Sequence, residues 1–315
     1  MLYPLTFQPI FKERVWGGRE LARLYRKPLP AGRRIGESWE ISDRPGDAGV
    51  IANGPLAGKN LRWLMEHHRK ELLGRAKPAA QNRFPLLCKI LDAREKLSLQ
   101  VHPPAHRAAK LGGEPKTELW FIAGAAQGAE LYVGVKPGVT RARFRKKISD
   151  GTVTECIHRL RVRSGDAIFL PSGEVHAIGA GLVIFEIQQN SDTTYRVFDW
   201  NRVGLDGKPR ELHVAQSLSS IHFSGRKPMV WRNKRRLLRH SVFDVDYFEM
   251  KSGVRRRLRP KTLQIVAVIR GRLEIRGGSA SARLSAGQFC LVPASLEDTE
   301  IAADAPAAWL RVEAG

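Results

Sequence analysis

The sequence predicts a mainly β protein of the sandwich or jelly-roll type, and three observations lead there. Short apolar runs recur along most of the chain, Gly, Pro, Asp and Ser fall between many of them, and no regular alternation with helices accompanies them. A doubly wound parallel sheet requires that alternation, so it is excluded.

Helical periodicity is concentrated early. Residues 60–73 place Leu61, Leu64, Met65, His68 and Leu72 near one face, behind Asn60 as an N-cap. His67 and His68 have no spaced partners there and read as surface or packing residues. Residues 84–91 form an apolar run. Over 96–102, Leu97, Leu99 and Val101 alternate with Ser98, Gln100 and His102, the two-residue beat of a half-buried strand. Residues 104–111 and 140–149 are further helix candidates. Strand signals follow at 119–122, 131–135, 167–170, 182–188, 263–269, 272–275 and 289–292.

A composition shift at 223–239, where Ser-Gly-Arg-Lys-Pro leads into a basic run, separates two β-rich regions and sets the expected domains at 1–223 and 224–315. Residues 164–171 (SGDAIFLP) and the stretch from Gly287 to Pro293 share a Gly-polar-apolar-Pro outline. Two related barrels in tandem are therefore expected. The second lacks a His where the first has one, so it reads as structural.

Fifty-three Lys and Arg against 31 Asp and Glu give a formal charge of +22, with 43% hydrophobic residues. A chain of 315 residues can bury enough core to fold without disulfides or a structural metal. No stretch approaches the ~20 apolar residues of a membrane helix, and the opening Met1-Leu2-Tyr3-Pro4 lacks a signal-peptide layout. The expectation is a cytoplasmic protein with no membrane partner. Cys88, Cys156 and Cys290 are odd in number and far apart, as core thiols in a reducing compartment would be. Basic clusters at 141–147, 226–239 and 255–261 would attract phosphate, but no zinc-finger, basic-zipper or RNP-like pattern joins them. Nucleic acid is not the expected partner; a phosphorylated small molecule is.

Gln100 and His102 lie two apart in a strand, so their side chains leave the same face. Glu118 follows 16 residues after His102, and His176 another 58 on, each near a strand end. Two imidazoles, a carboxylate and a carboxamide form a mixed nitrogen and oxygen set suited to zinc or a similar divalent ion, with room for water or substrate.

The segments FPLLCKILDAREKLSLQVHPP (84–104), PKTELWFI (115–122) and PSGEVHAIGAGLVIFEIQQNSDTTYRVFDW (171–200), with FKERVWGG (11–18) and IGESWEIS (35–42), closely resemble the mannose-6-phosphate isomerase family, type I, short bacterial form. The resemblance runs in order from about Pro4 to Leu218. It implies a cupin-fold metalloenzyme that interconverts mannose 6-phosphate and fructose 6-phosphate through an enediolate. Its single zinc would be held by Gln100, His102, Glu118 and His176, with Gln100 the least firm ligand.

Carried over in the same way, Lys116 and Arg196 match family active-site positions, and Lys89 matches a family lysine before the ligand strand. Lys89, Lys116 and Arg196 are the expected substrate-binding residues. The base stays open among Asp192, Glu186, a lysine of lowered pKa and metal-bound hydroxide. Trp16-Gly17-Gly18 and Gly36-Glu37-Ser38-Trp39-Glu40 read as packing around the site. A monomer or homodimer is expected. Pro103, Pro104 and Ala105 replace the family's Pro-Asp-Asp, which stiffens that loop and removes two carboxylates. Isomerisation of another sugar or sugar phosphate is the alternative among enzymes. A cupin sugar or nucleic-acid binding module is the alternative outside them, but it has no need of the full ligand set with Lys116 and Arg196.

Overall fold

The structure is a computed structural model, and it describes residues 1–232, 234–258, 261–278 and 280–315. Four sheets stack in two pairs. The first pair is a seven-stranded sheet, which includes Ile10–Gly18, Ile35–Ile41, Leu86–Ala93, Glu118–Ala125 and Leu182–Gln189, and a five-stranded sheet centred on His176–Ile178 and Leu99–Val101. The second pair is a six-stranded sheet around Gln264–Arg270 and Ala307–Ala314 and a four-stranded sheet around Arg272–Gly277. The ladders joining these strands are antiparallel, as jelly-roll connections require.

Strand alternation explains why three layers of core form. Along Glu118–Ala125, Leu119 and Phe121 enter the core between the seven- and six-stranded sheets, whereas Trp120 and Ile122 enter the interior of the first barrel. Leu182–Gln189 repeats the pattern, with Phe185 and Ile187 on one side and Ile184 on the other. Phe185 stacks on Phe289 of the six-stranded sheet, their ring centroids 5.5 Å apart. The two regions are thus fused through a continuous apolar layer. Two short pairings cross between them as well: Leu5–Thr6 joins Phe289–Val292, and Val230–Trp231 joins Ala167–Leu170.

Helices sit outside the first barrel. Arg141–Ser149, capped by Thr140, and Val214–Ser220 cover the back of the five-stranded sheet through Phe144 and Leu218. Asn60 caps Trp63 N as its position suggests. The expected helix over 60–73 is interrupted at His68, whose φ of −133° leaves the helical region and divides Leu61–His67 from Arg69–Leu73. Trp63 stacks on His67 at 4.4 Å, which agrees with a packing role for that histidine.

Candidate metal centre and active-site cleft

Two cross-strand rows face each other inside the first barrel. On the five-stranded sheet, Gln100 lies opposite His176 on one side and Arg196 on the other. Directly opposed residues point to the same face, so these three side chains form a row. On the seven-stranded sheet, Glu186 lies opposite both Lys89 and Trp120, and Lys89 lies opposite Trp39. The neighbouring residues on each strand anchor the rows: Leu99, Val101, Ala177, Tyr195 and Val197 are buried on the reverse face of the smaller sheet.

His102, Glu118 and His176 meet at the buried end of this space, with one ligand atom of each within 4.8 Å of the others. His102 Nε2 is 3.1 Å from Glu118 Oε1, and His176 Nε2 is 3.9 Å from Glu118 Oε2. Each imidazole is oriented through its other nitrogen. His102 Nδ1 donates to Thr193 O at 2.7 Å and His176 Nδ1 to Glu174 O at 2.9 Å, which leaves both Nε2 lone pairs aimed inward. Gln100 Nε2 lies 3.3 Å from His176 Nε2.

Both Glu118 carboxylate oxygens are buried without a hydrogen-bond partner, although the Lys116 ammonium contacts Oε1 as an ion pair. Buried unsatisfied oxygens beside two inward lone pairs are costly unless a cation joins them. The donor set therefore fits a borderline divalent metal.

Charge is strongly organised here. Burial works against an ionised Glu118, yet Lys116 and the two histidines hold its carboxyl well below the usual range. Burial pushes His176 down to about 3 and also lowers His102, so both are neutral, as ligation requires. Lys116 resists its own burial because Glu118 and Glu186 favour the ammonium, and its pKa is raised. Glu186 Oε1 is 3.2 Å from Lys116 Nζ. Burial, reinforced by nearby Glu118, raises Glu186 to about 7 against the pull of Lys116 and Lys89.

A cleft of about 630 Å³ opens from this centre, lined by Lys89, Gln100, Lys116, Glu186, Asp192 and Arg196 among others. Lys89 sits 4.8 Å above the Trp39 ring, 3.5 Å from Glu37 and 3.7 Å from Asp192. Asp192 is half exposed at the mouth. Arg196 donates from Nη1 to Glu211 O at 2.7 Å, while its buried Nε has no partner. Burial, with Arg210 nearby, lowers the Arg196 pKa.

Sequence reasoning assigned Arg14 no role and placed Glu37 among residues that pack around the site. Arg14 Nε donates to Glu37 Oε1 at 2.7 Å and both line the cleft. Burial opposes ionisation of Glu37, but Lys89 and Arg14 outweigh it and bring the pKa to about 2. A Cβ at Gly17 would lie 2.5 Å from Gly36 N, so the two strands approach closely beside Glu37, a proximity that the glycines allow. Pro104 occupies the N-cap position of the short helix Ala105–Ala108 that follows His102.

No helix among the described residues is long and apolar enough to cross a membrane. Residues 5–147 match the sequence family described as phosphomannose isomerase type I, catalytic domain. The chain is 36% identical over 310 residues to mannose-6-phosphate isomerase ManA of Bacillus subtilis, covering 95% of each. It is 34% identical over 313 residues to mannose-6-phosphate isomerase of Streptococcus mutans, covering 96% of each. The crystal structure of mannose 6-phosphate isomerase from Bacillus subtilis superimposes with a TM-score of 0.87 at 29% identity, covering 99% of this chain and 100% of that one. Its two fused barrels are accordingly of the cupin type, and with near full-length identity above 30%, this chain belongs to the type I mannose-6-phosphate isomerase family.

Proposed function

We propose that the chain interconverts mannose 6-phosphate and fructose 6-phosphate at a single zinc site formed by His102, Glu118 and His176, with Gln100 as a fourth ligand. The observation that carries this reading is the convergence of those three buried groups at the end of a cleft whose lining includes Lys89, Lys116 and Arg196. Rotation of the Gln100 amide by half a turn brings its oxygen, in place of Nε2, to the position beside His176.

When bound, the ion supplies Lewis-acid stabilisation of the negative charge that develops on sugar O1 and O2. Arg196 adds fixed positive charge through its unpartnered Nε, and the buried walls keep that field strong as an enediolate forms. Glu186, hydrogen-bonded to the Lys116 ammonium on the cleft floor, is the group able to take a proton from one sugar carbon and return it at the next. Lys89, held between Glu37 and Asp192, attracts the phosphate as a point charge, and Asp192 positions the Lys89 ammonium. The catalytic unit in this reading is 1–223, and 224–315 is its structural partner, in a cytoplasmic monomer or homodimer.

The test is turnover of mannose 6-phosphate before and after chelation. Loss on chelation with recovery on adding zinc is expected. Full activity in the chelated protein, with metal content verified as zero, would overturn the reading.

A further inference from the structure

Opposite the catalytic face of Glu118–Ala125, where Phe121 emerges instead of Trp120, a second cleft of about 510 Å³ lies at the junction of the two barrels. Its lining includes Phe121, Tyr247, Phe248, Lys234, Arg235 and Arg256. Three guanidinium groups gather on the Phe248 ring: Arg256 at 4.2 Å from the centroid, Arg235 at 4.8 Å and Arg311 at 5.9 Å. Sharing one ring holds Arg235 and Arg256 closer together than the ~10 Å over which 0.1 M salt screens charge.

Neutralisation is uneven. Asp246 binds Arg311 at 2.6 Å and Arg239 at 2.7 Å. Glu249, the acidic residue of the lining, is committed to Arg270 and to the Tyr247 hydroxyl. Among the described residues, Lys234, Arg235 and Arg256 have no carboxylate partner within 4.0 Å, although a chain with this charge excess could have dispersed them. Burial and the neighbouring Arg235 and Arg311 lower the Arg256 pKa against the pull of Asp246. An anion bound in the cleft would offset the repulsion among these cations.

We infer that this inter-barrel cleft is a binding site for a diphosphate group, separate from the catalytic cleft. Three uncompensated cations match the two to three negative charges of a diphosphate better than the fewer charges of a sugar monophosphate. Arginine forks suit non-bridging phosphate oxygens, and the volume is within the ~300–1,000 Å³ of small-molecule sites. Inorganic pyrophosphate and a nucleoside diphosphate share this chemistry.

Calorimetric titration of the full chain with inorganic pyrophosphate and with ADP, each in the presence of saturating fructose 6-phosphate, tests the site. Saturable binding of pyrophosphate is expected, weakened at least tenfold in the Arg235→Ala/Arg256→Ala double variant and only partly restored in Arg235→Lys/Arg256→Lys, which keeps the charge without the fork. Tighter binding of ADP than of pyrophosphate assigns the site to nucleotides; the reverse assigns it to the inorganic ion. Isomerase activity of the alanine variant should stay within twofold, since neither residue touches the catalytic cleft, and this also reports that it folds. Absence of binding, or equal binding by the parent and the folded alanine variant, overturns the inference.

Discussion

The two barrels use the same jelly-roll frame and fill it in opposite ways. In the first, the space between the sheets holds His102, Glu118, His176, Lys116, Glu186 and Lys89, all buried. In the second, the corresponding interior is hydrocarbon: Val266, Val268, Leu273, Ile275 and Ile301 surround Trp309, which stacks on Phe248 at 4.6 Å. After Pro171 the chain leads to His176, whereas after Pro293 it sends Leu296 into the core. A barrel with a dry, filled interior contributes stability, and one with a polar interior gives some up to hold charges in place. The apolar layer between them, with Phe121, Phe185, Phe289 and Leu310, couples the two.

The largest expected effect falls on the polar interior. Replacing both His102 and His176 by Ala should remove metal and lower kcat by at least ~10³-fold, the scale of losing a principal electrostatic element; metal analysis and turnover check it. A variant that keeps its metal and more than a tenth of its rate would break the contrast between the barrels. Next is the filled interior. Trp309→Ala should cost ~3–5 kcal/mol of stability by opening a cavity, measured by denaturant unfolding, with activity per folded molecule unchanged. If activity falls without loss of stability, the second barrel is not a passive support.

Arg196→Gln should then lower kcat by ~10²-fold with little change in stability, because in the proposed mechanism its unpartnered Nε stabilises charge that exists only during reaction. A rise in KM with kcat unchanged would move Arg196 to ground-state binding of the substrate.

How much of this was legible in the sequence depended on what each strand touches. The alternation over 96–102 predicted a strand, of which the structure keeps Leu99–Val101; Leu97 packs in a different layer from Leu99 and Val101, and His102, just past the strand end, still meets the histidine that Gln100 faces. Ile35–Ile41 is buried at every position, so it shows no alternation and gave no strand signal; a sheet covered on both faces erases the period. For the same reason Glu37 was read as packing. The late strands Phe243–Met250 and Ala307–Ala314 pair along their whole length; the first does alternate, Phe243, Val245 and Tyr247 against Asp244 and Asp246, until Tyr247-Phe248 breaks the beat, whereas small residues in the second blur the pattern. Convergence of His102, Glu118 and His176 could be guessed from residue types but depends on long-range register. The inter-barrel cleft depends on packing between sheets that no local pattern encodes.

The smallest effect sharpens the comparison most narrowly, because it isolates a charge in the polar barrel that the proposed metal chemistry does not use. Glu37 has a folded-state pKa of about 2, below the ordinary 4.5. Its carboxylate therefore stabilises the fold fully above pH ~4.5, and that contribution is lost as pH falls towards ~2. Glu37→Gln should cost ~1–3 kcal/mol at pH 7, since Lys89 and Arg14 lose a buried partner. The loss should shrink through the window from pH 4.5 to 2, where the parent protonates and the variant does not. Unfolding free energies across that range check the sign: parallel curves for parent and variant would mean that Glu37 is not the group held ionised. A matched substitution in the second barrel, at a core position without charge, should show no such window, because a hydrocarbon interior has no proton to exchange.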